Sequence, residues 1–512
     1  MIRSIRNIFR LIHIVRVLAR YDALFPLERV GAVRDLAFFA KLTTRKPPPG
    51  RPGQRLAAAM VELGPSFIKL GQTLSTRPDL IGEEVAADMT SLQDRLKPFP
   101  SEEARRIIEE DLGRPLEELF SSFEAEPVAA ASIAQVHFGV TTDGRNVAIK
   151  VLRPDVKGAF ARDIDVLNWL ADIVERTQPD FRRLKPSEAV RTFEATVEME
   201  MDLRFEAAAA AEMSDNFTDD PTFRIPAVDW ERTSQNVLTV ERVYGIPIDE
   251  RDRLIAAGFE PREVVAKSAA AFFNMVFRDG FFHGDMHPGN MFVGQRGEIV
   301  LVDFGITGRV DRDTRRYLGE MLMGFLTGNY RRVAEIHFEA GYVPADRSID
   351  AFTQAARSVG EPIFGRPMNE ISIGRLLGHM FKVTETFGME AQPQLLLLQK
   401  TMITAEGVGR SLSPDVNMWT LARPLIEDWI RDTLGPEAKL RQITSDVITS
   451  LGRLPKLLEH SEHTAAMFRS GGLKLHPDTV AQLTGRRSYG GMAAVVVPWI
   501  LVAVLTAMLL TR

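Results

Sequence analysis

HGDMHPGN (283–290), followed by MFVGQRGEIVLV (291–302) and DFG (303–305), is the stretch on which the reading of this chain turns. MFV and IVLV read as short buried strands, and GQRGE between them carries the glycines of a tight loop. A hairpin of this kind brings its flanks together, so Asp285, Asn290 and Asp303 are expected side by side. A competing reading makes His283, Asp285 and His287 metal ligands. Pro288 and Gly289 forbid the continuing helix that would set two histidines one turn apart.

Two carboxylates and a carboxamide at this spacing are the parts that protein kinases use. There a catalytic-loop Asp is followed after four residues by an Asn, and the Asn and the DFG Asp hold Mg²⁺ on the nucleotide phosphates. Upstream the rest of such a site appears in order. PVAAASIAQVHFG (127–139) reads as strand, turn and strand, and VAIK (147–150) ends the next strand with Lys150. When Val136 is aligned with the valine of a kinase glycine-rich loop, the three glycine positions become Ala129, Ala131 and Ala134. Glycine lets backbone approach phosphate with no Cβ in the way, so three alanines imply a loop that sits differently on the nucleotide. Residues 188–213, including VEMEMDLRFEAAAAAEM (197–213), read as one helix by composition. Glu206 on it is the candidate partner for Lys150, with Asp202 on the same face and Glu200 pointing elsewhere. NVLTVERVYGIPI (236–248) reads as a strand and glycine turn suited to a hinge that bonds adenine, with Glu241 and Val243 as its positions. Val265, Ala269, Phe272 and Val276 mark a buried helix leading into the His283 loop.

No APE motif follows DFG, so the peptide-binding part of a protein kinase has no support in the sequence. Residues 313–485 read as helices broken by loops such as GEPIFGRPMNE, without a second chemical centre.

The 512 residues exceed one ordinary domain, and Lys+Arg 63 against Asp+Glu 68 leaves a net charge of −5. That balance gives no field calling for nucleic acid. With Cys 0, disulfides, thiolate metal sites and thiol nucleophiles are excluded, which fits a reducing cytosolic face. Residues 1–20 interleave Arg3, Arg6, Arg10, Arg16 and Arg20 with apolar residues at helical spacing. Such a helix either lies on an anionic membrane surface or docks on its own domain. RKPPPGRPGQ (45–54) reads as a stiff linker. In the helical FIKLGQTLSTRPDLI (67–81), Lys69 and Gln72 share a polar face. Residues 85–121 also look helical, and SEEARRII (101–108) offers a Ser cap with a Glu close behind. MAAVVVPWILVAVLTAMLLT (492–511) is uncharged and long enough to span a bilayer's hydrocarbon. With Arg486 and Arg487 before it, the catalytic part is expected to face the cytoplasm.

KLGQ (69–72), AAASIAQVH (129–137), EMD (200–202), HGDMHPGN and DFG together resemble the UbiB family of atypical, kinase-like proteins of ubiquinone biosynthesis, over roughly residues 1–512. The resemblance implies that the alanine-rich loop replaces the glycine-rich one and that the Lys-x-Gly-Gln helix covers the site where a peptide would bind. Lys69, Gln72, Glu200 and Asp202 would be signature residues, and Lys150 would pair with Glu206. The nucleotide would be bound by Ala129, Ala130, Ala131, Ser132, Ile133, Ala134, Gln135, Val136, His137, Lys150, Glu241 and Val243 together with those four. Asn290 and Asp303 would hold Mg²⁺, and Asp285 would act as base or water-orienting group.

The expected fold class is α+β: a protein-kinase-like two-lobe fold with added N- and C-terminal helices and a C-terminal transmembrane helix. Its parts would be a basic helix and linker (1–54), a helical extension (55–125), an N-lobe (126–245), a C-lobe (246–400), a helical region (401–490) and the membrane helix (491–512). The expected activity is that of a membrane-anchored kinase or ATPase that binds Mg–ATP and supports polyprenylphenol hydroxylation. Inner-membrane lipids, quinone-precursor lipids and ubiquinone-biosynthesis enzymes would be its partners, with no nucleic acid. With neither a GxGxxG dinucleotide fingerprint nor an iron triad in the sequence, the oxygen chemistry would belong to a partner. Two alternatives stand beside this reading: a nucleotide-gated scaffold, and a small-molecule phosphotransferase of antibiotic-kinase type, a group that HGDMHPGN also resembles.

Overall fold

The computed structural model describes residues 2–25, 48–75, 81–89, 92, 96–177, 186–362, 383, 386–389, 392–416 and 418–434. The chain divides into two compact units, Met1–Arg431 and Asp432–Arg512. The second is described only at 432–434, where a helix ends.

The first unit opens with helices α1 (Ile2–Arg20), α2 (Pro52–Leu63), α3 (Pro65–Ser75) and α4 (Glu83–Met89). Leu11, Ile14, Val15 and Leu18 recur at helical spacing on α1 and are buried with Leu56, Met60, Leu63, Phe67 and Ile68. Each such side chain contributes roughly 1.5–3 kcal/mol. The Arg10 guanidinium forks onto Asp163 at 2.6 and 3.0 Å. Of the two readings of the basic helix, the structure has the docked one.

α5 (Ser101–Leu112) and α6 (Leu116–Leu119) lead into the N-lobe sheet. α5 begins at Ser101 itself with Pro100 as its cap and no side-chain capping bond, so the expected Ser cap is not formed. The sheet has β1 (Phe120–Phe123), β3 (Ala134–Thr141), β4 (Asn146–Leu152) and β6 (Val237–Glu241) in that order, with β2 (Ala129–Ala130) paired to β3. All these pairs are antiparallel. Between β4 and β6 lie α7 (Val156–Thr177), α8 (Pro186–Glu200), α9 (Leu203–Asn216) and β5 (Phe223–Arg224). The single helix expected over 188–213 is broken at Met201–Asp202. There the Asp202 carboxylate accepts the Arg204 N–H and caps α9, a local bond that competes with a continuous helix.

β7 (Gly245–Pro247) belongs to a second sheet, ordered β5, β10 (Ile299–Leu301), β9 (Met291–Gly294), β7. Arg242–Tyr244 thus connects the two lobes, as expected of a hinge. α10 (Arg251–Ala256), α11 (Pro261–Phe273, continued as a π-helix over Asn274–Asp279), β8 (Phe281–His283) and β11 (Thr307–Arg309) complete the centre of the C-lobe. Val265, Ala269, Phe272 and Val276 are buried on α11 and its continuation. The expected hairpin forms, with Ile299 opposite Val293 and Leu301 opposite Met291. α12 (Arg312–Leu326), α13 (Tyr330–Glu339), α14 (Ile349–Gly360), α15 (Pro393–Leu412) and α16 (Met418–Leu434) follow.

Among the described residues no helix is long and apolar enough to cross a membrane. This corrects the expected fold class, which among the described residues keeps its two kinase-like lobes and added helices and shows no transmembrane helix. It equally corrects the inner-membrane localisation, which rested on that helix. The physical reason is that the long described helices are amphipathic. α7 carries Lys157, Arg162, Asp163, Asp165, Asp172, Glu175 and Arg176, and α15 carries Lys400, Glu406 and Arg410. The segment 491–512 lies outside the described residues.

Candidate active site

Lys150 stands on β4 opposite Val136 of β3 and Leu238 of β6. Its ammonium lies 2.8 Å from both Glu206 carboxylate oxygens and 2.9 Å from Asp303 Oδ1. Glu206 reaches it from the first turn of α9, whose Leu203, Ala207 and Ala210 are buried. Asp303 follows the hairpin in the left-handed region, at φ 64°. Two carboxylates thus share one cation. Burial alone would lower the Lys150 pKa, but Asp303 and Glu206 hold it above its usual range. The Lys150 charge holds Asp303 below the carboxylate range. Burial pushes Glu206 up to about 7, with Lys150 opposing and Asp303 adding to the rise, as expected when like charges crowd one site.

His283 ties the Asp285 loop to DFG. Its Nδ1 accepts the Asp285 N–H at 3.1 Å, so Nε2 carries the proton and donates to the Asp303 carbonyl at 2.8 Å. The ring is fully buried, and desolvation lowers its pKa. Both ring nitrogens are engaged, and His287 Nδ1 accepts the Gly289 N–H at 3.2 Å. Among the described residues no three His, Cys, Asp or Glu side chains are grouped to hold a metal ion, so the metal-ligand reading of these histidines has no geometry behind it. The Asn290 amide donates to the Asp285 carbonyl at 3.0 Å and approaches Asp285 Oδ2 at 3.4 Å.

The Lys-x-Gly-Gln segment falls on α3. Lys69 forms a 2.8 Å ion pair with Glu200, and its charge is felt at Asp303. A Cβ on Gly71 would stand 2.6 Å from Leu92 Cδ1 and Met60 Sδ, so the bare position lets these side chains close on α3. Gln72 is half-buried. Asp202 bonds Arg204 at 2.9 and 2.6 Å. Of the two acids, Glu200 is brought to Lys69.

Ala129 and Ala130 pair with Val136 and Gln135, and the turn Ala131–Ile133 closes through Ala131 N–H to the Ala134 carbonyl at 2.8 Å. Arg153 Nε donates to the Ala131 carbonyl at 2.9 Å, and Ser132 and Ile133 are buried. Strand alternation puts Ala134 and Val136 on the Lys150 side and turns Gln135 and His137 to the other. There Gln135 bonds the Phe99 backbone and His137, and His137 bonds the Glu124 carbonyl. At the lobe connection, Arg224 holds Glu241 at 2.9 Å, and Val243 is half-buried.

One residue at the site escaped the sequence reading. Lys400 on α15 lies 3.4 Å from Asp285 Oδ1. The available signal was a lysine two residues after the leucine run LLLL (395–398), with Gln399 between.

A lysine held by a helix glutamate between two lobes, beside a paired Asp–Asn loop, defines a protein-kinase-like catalytic cleft. Comparison with known proteins agrees. Residues 91–337 match the ABC1 atypical kinase-like domain and residues 356–417 the UbiB helical domain. A protein of Marinobacter nauticus, named probable protein kinase UbiB, is 40% identical over 470 residues, covering 90% of this chain and 86% of its own. A protein of the same name from Xanthomonas oryzae pv. oryzae is 41% identical over 479 residues, covering 91% and 85%. Among solved structures, Rv3197 of Mycobacterium tuberculosis, in complex with erythromycin, is similar with a TM-score of 0.51 and 25% identity, over 70% of this chain and 90% of that one. The chain belongs to the UbiB family and is an atypical kinase.

Proposed function

We propose that this kinase takes Mg–ATP into the cleft at Lys150 and Asp303 and works in ubiquinone biosynthesis as an ATPase or small-molecule kinase, on or with lipid quinone precursors. It would support the polyprenylphenol hydroxylation step without performing the oxygen chemistry. The observation that carries this reading is the one ammonium of Lys150 gripped by Glu206 at 2.8 Å and by Asp303 at 2.9 Å. Held there, Lys150 would meet the α- and β-phosphates.

The donor set fits Mg²⁺. This ion takes one or two protein oxygens and completes its shell with phosphates and water. The Asp303 side chain is 48% exposed, and Asn290 has spent its NH₂ on Asp285, which leaves its carbonyl oxygen to ligate. Bound there, Mg²⁺ would supply charge neutralisation on the phosphates. Asp285 would orient the attacking hydroxyl or water and take its proton. The Lys69–Glu200 bridge favours water or a small acceptor over a polypeptide.

The test is turnover of ATP by the purified full chain, with and without Mg²⁺ and quinone-precursor lipids. Stimulation without label on the lipid supports the ATPase, and label on the lipid supports the kinase. Binding without turnover supports the nucleotide-gated scaffold. A chain that neither binds nor turns over Mg–ATP refutes the reading.

A further inference from the structure

The helical region that follows the two kinase lobes reaches the catalytic aspartate itself. Thr401 Oγ1 on α15 donates to the Gly284 carbonyl at 3.0 Å and to its own Leu397 carbonyl at 2.9 Å. A Cβ at Gly284 would stand 3.1 Å from both Leu397 methyl carbons and 2.8 Å from Ile306 Cγ2. The glycine before Asp285 is therefore what lets α15 lie directly on the catalytic loop. One residue before Thr401, Lys400 extends its ammonium to 3.4 Å from Asp285 Oδ1, with both side chains about one-third exposed, 32% and 34%. Asn290 approaches the other oxygen, Oδ2, at 3.4 Å. Asp285 is thus addressed from two sides, by Asn290 of its own loop and by a lysine more than a hundred residues further on, in the segment that matches the helical domain.

We propose that Lys400 is a positioning residue for Asp285. It holds Oδ1 in place and so makes a competent catalytic aspartate depend on the seating of α15. The inference rests on the reading of Asp285 as the group that orients and deprotonates the acceptor. In that step the bond from acceptor oxygen to the γ-phosphorus forms, the bond from that phosphorus to the ADP oxygen breaks, and the acceptor proton passes to the Asp285 carboxylate. Lys400 takes no proton. Its part is geometric and electrostatic, and a misplacement of the order of 1 Å at such a group is worth up to about a hundredfold in rate.

The experiment uses the full chain and Mg–ATP. Lys400→Met keeps the apolar stem and removes the charge, and Lys400→Arg keeps the charge. For Lys400→Met, kcat is expected to fall about tenfold or more, while KM for ATP, nucleotide affinity by titration and Tm stay at wild-type values. Lys400→Arg should recover most of the rate. Added to Asp285→Asn, Lys400→Met should bring no further loss, because two residues acting as one unit are not additive. Wild-type kcat in Lys400→Met overturns the proposal. So does a loss that Lys400→Arg fails to recover, that adds to Asp285→Asn and that comes with a lowered Tm, since this marks a structural lysine. Absence of turnover in the wild-type chain overturns the proposed function and this assignment with it. Turnover in the wild type that is untouched by Lys400→Met overturns this assignment alone.

Discussion

Asp303 has two partners to serve, Lys150 in the structure and Mg²⁺ in the proposed complex, and a side chain that is 48% exposed leaves room for both. Asp303→Asn keeps the shape and removes the charge. Mg–ATP affinity in a titration should fall at least about tenfold, the loss of one charge-assisted contact of roughly 1.5–3 kcal/mol. The Asn oxygen can still accept from Lys150, whose charge Glu206 alone would then balance, and Tm should change little. Unchanged affinity would remove Asp303 from the metal site. His283 gives a second test at this scale. Its folded-state pKa is depressed by burial, so the folded chain resists a proton that the unfolded chain accepts near pH 6.5. Its contribution to stability is present above that pH and is lost as pH falls below it. The His283 ring resonances should accordingly report a mainly neutral imidazole at pH 6.5, and a ring half-protonated at or above that pH would contradict the buried geometry. The placement of these residues was legible because order and spacing along the chain carry it: Lys150 meets Glu206 and Asp303, and Asn290 meets Asp285. Lys400 was not legible, since its approach to Asp285 spans 115 positions and depends on how one helix packs on a loop.

At the scale of elements, the least legible feature was the break between α8 and α9. Alanine-rich composition favours helix throughout 188–213, and only the Asp202 carboxylate, bonding the backbone two residues on, interrupts it. The break matters because it lets α8 end with Glu200 at Lys69 while α9 starts afresh with Glu206 at Lys150. Gly64, at φ 106°, likewise divides α2 from α3. The hairpin and hinge were legible because strand alternation and turn glycines are local signals. Gly71 offers a test of how closely α3 must be approached. Gly71→Ala would gain up to about 1 kcal/mol in helix propensity. It would also force the buried ends of Leu92, Met60 and Met89 aside, an overpacking of about 1–3 kcal/mol. The expected result is a net loss of about 1 kcal/mol in denaturant unfolding, together with reduced ATP turnover as Lys69 shifts. A more stable variant with wild-type turnover would show that the packing around Gly71 yields freely.

At the scale of the first unit, the added helices embrace the kinase-like lobes at two places. α1 to α3 pack on α7 and deliver Lys69 to Glu200, and α15 delivers Lys400 to Asp285. Neither connection is readable locally, because each pairs a residue of one region with a residue far along the chain. Of the two signature acids Lys69 meets Glu200, since Asp202 is bound by Arg204. This choice can be measured. Lys69→Ala and Glu200→Gln should each change ATP turnover severalfold, and the double variant should match either single one, because both remove the same bridge. Lys69→Ala combined with Asp202→Asn should instead be additive within about 0.3–0.5 kcal/mol, the behaviour of residues without a shared partner. Asp202→Asn alone should lower Tm modestly, as an Asn retains much of the capping bond but loses the Arg204 pair. Coupling of Lys69 to Asp202 with none to Glu200 would mean that the bridge across the cleft is rearranged when nucleotide is bound, and that α3 moves relative to α8 during turnover.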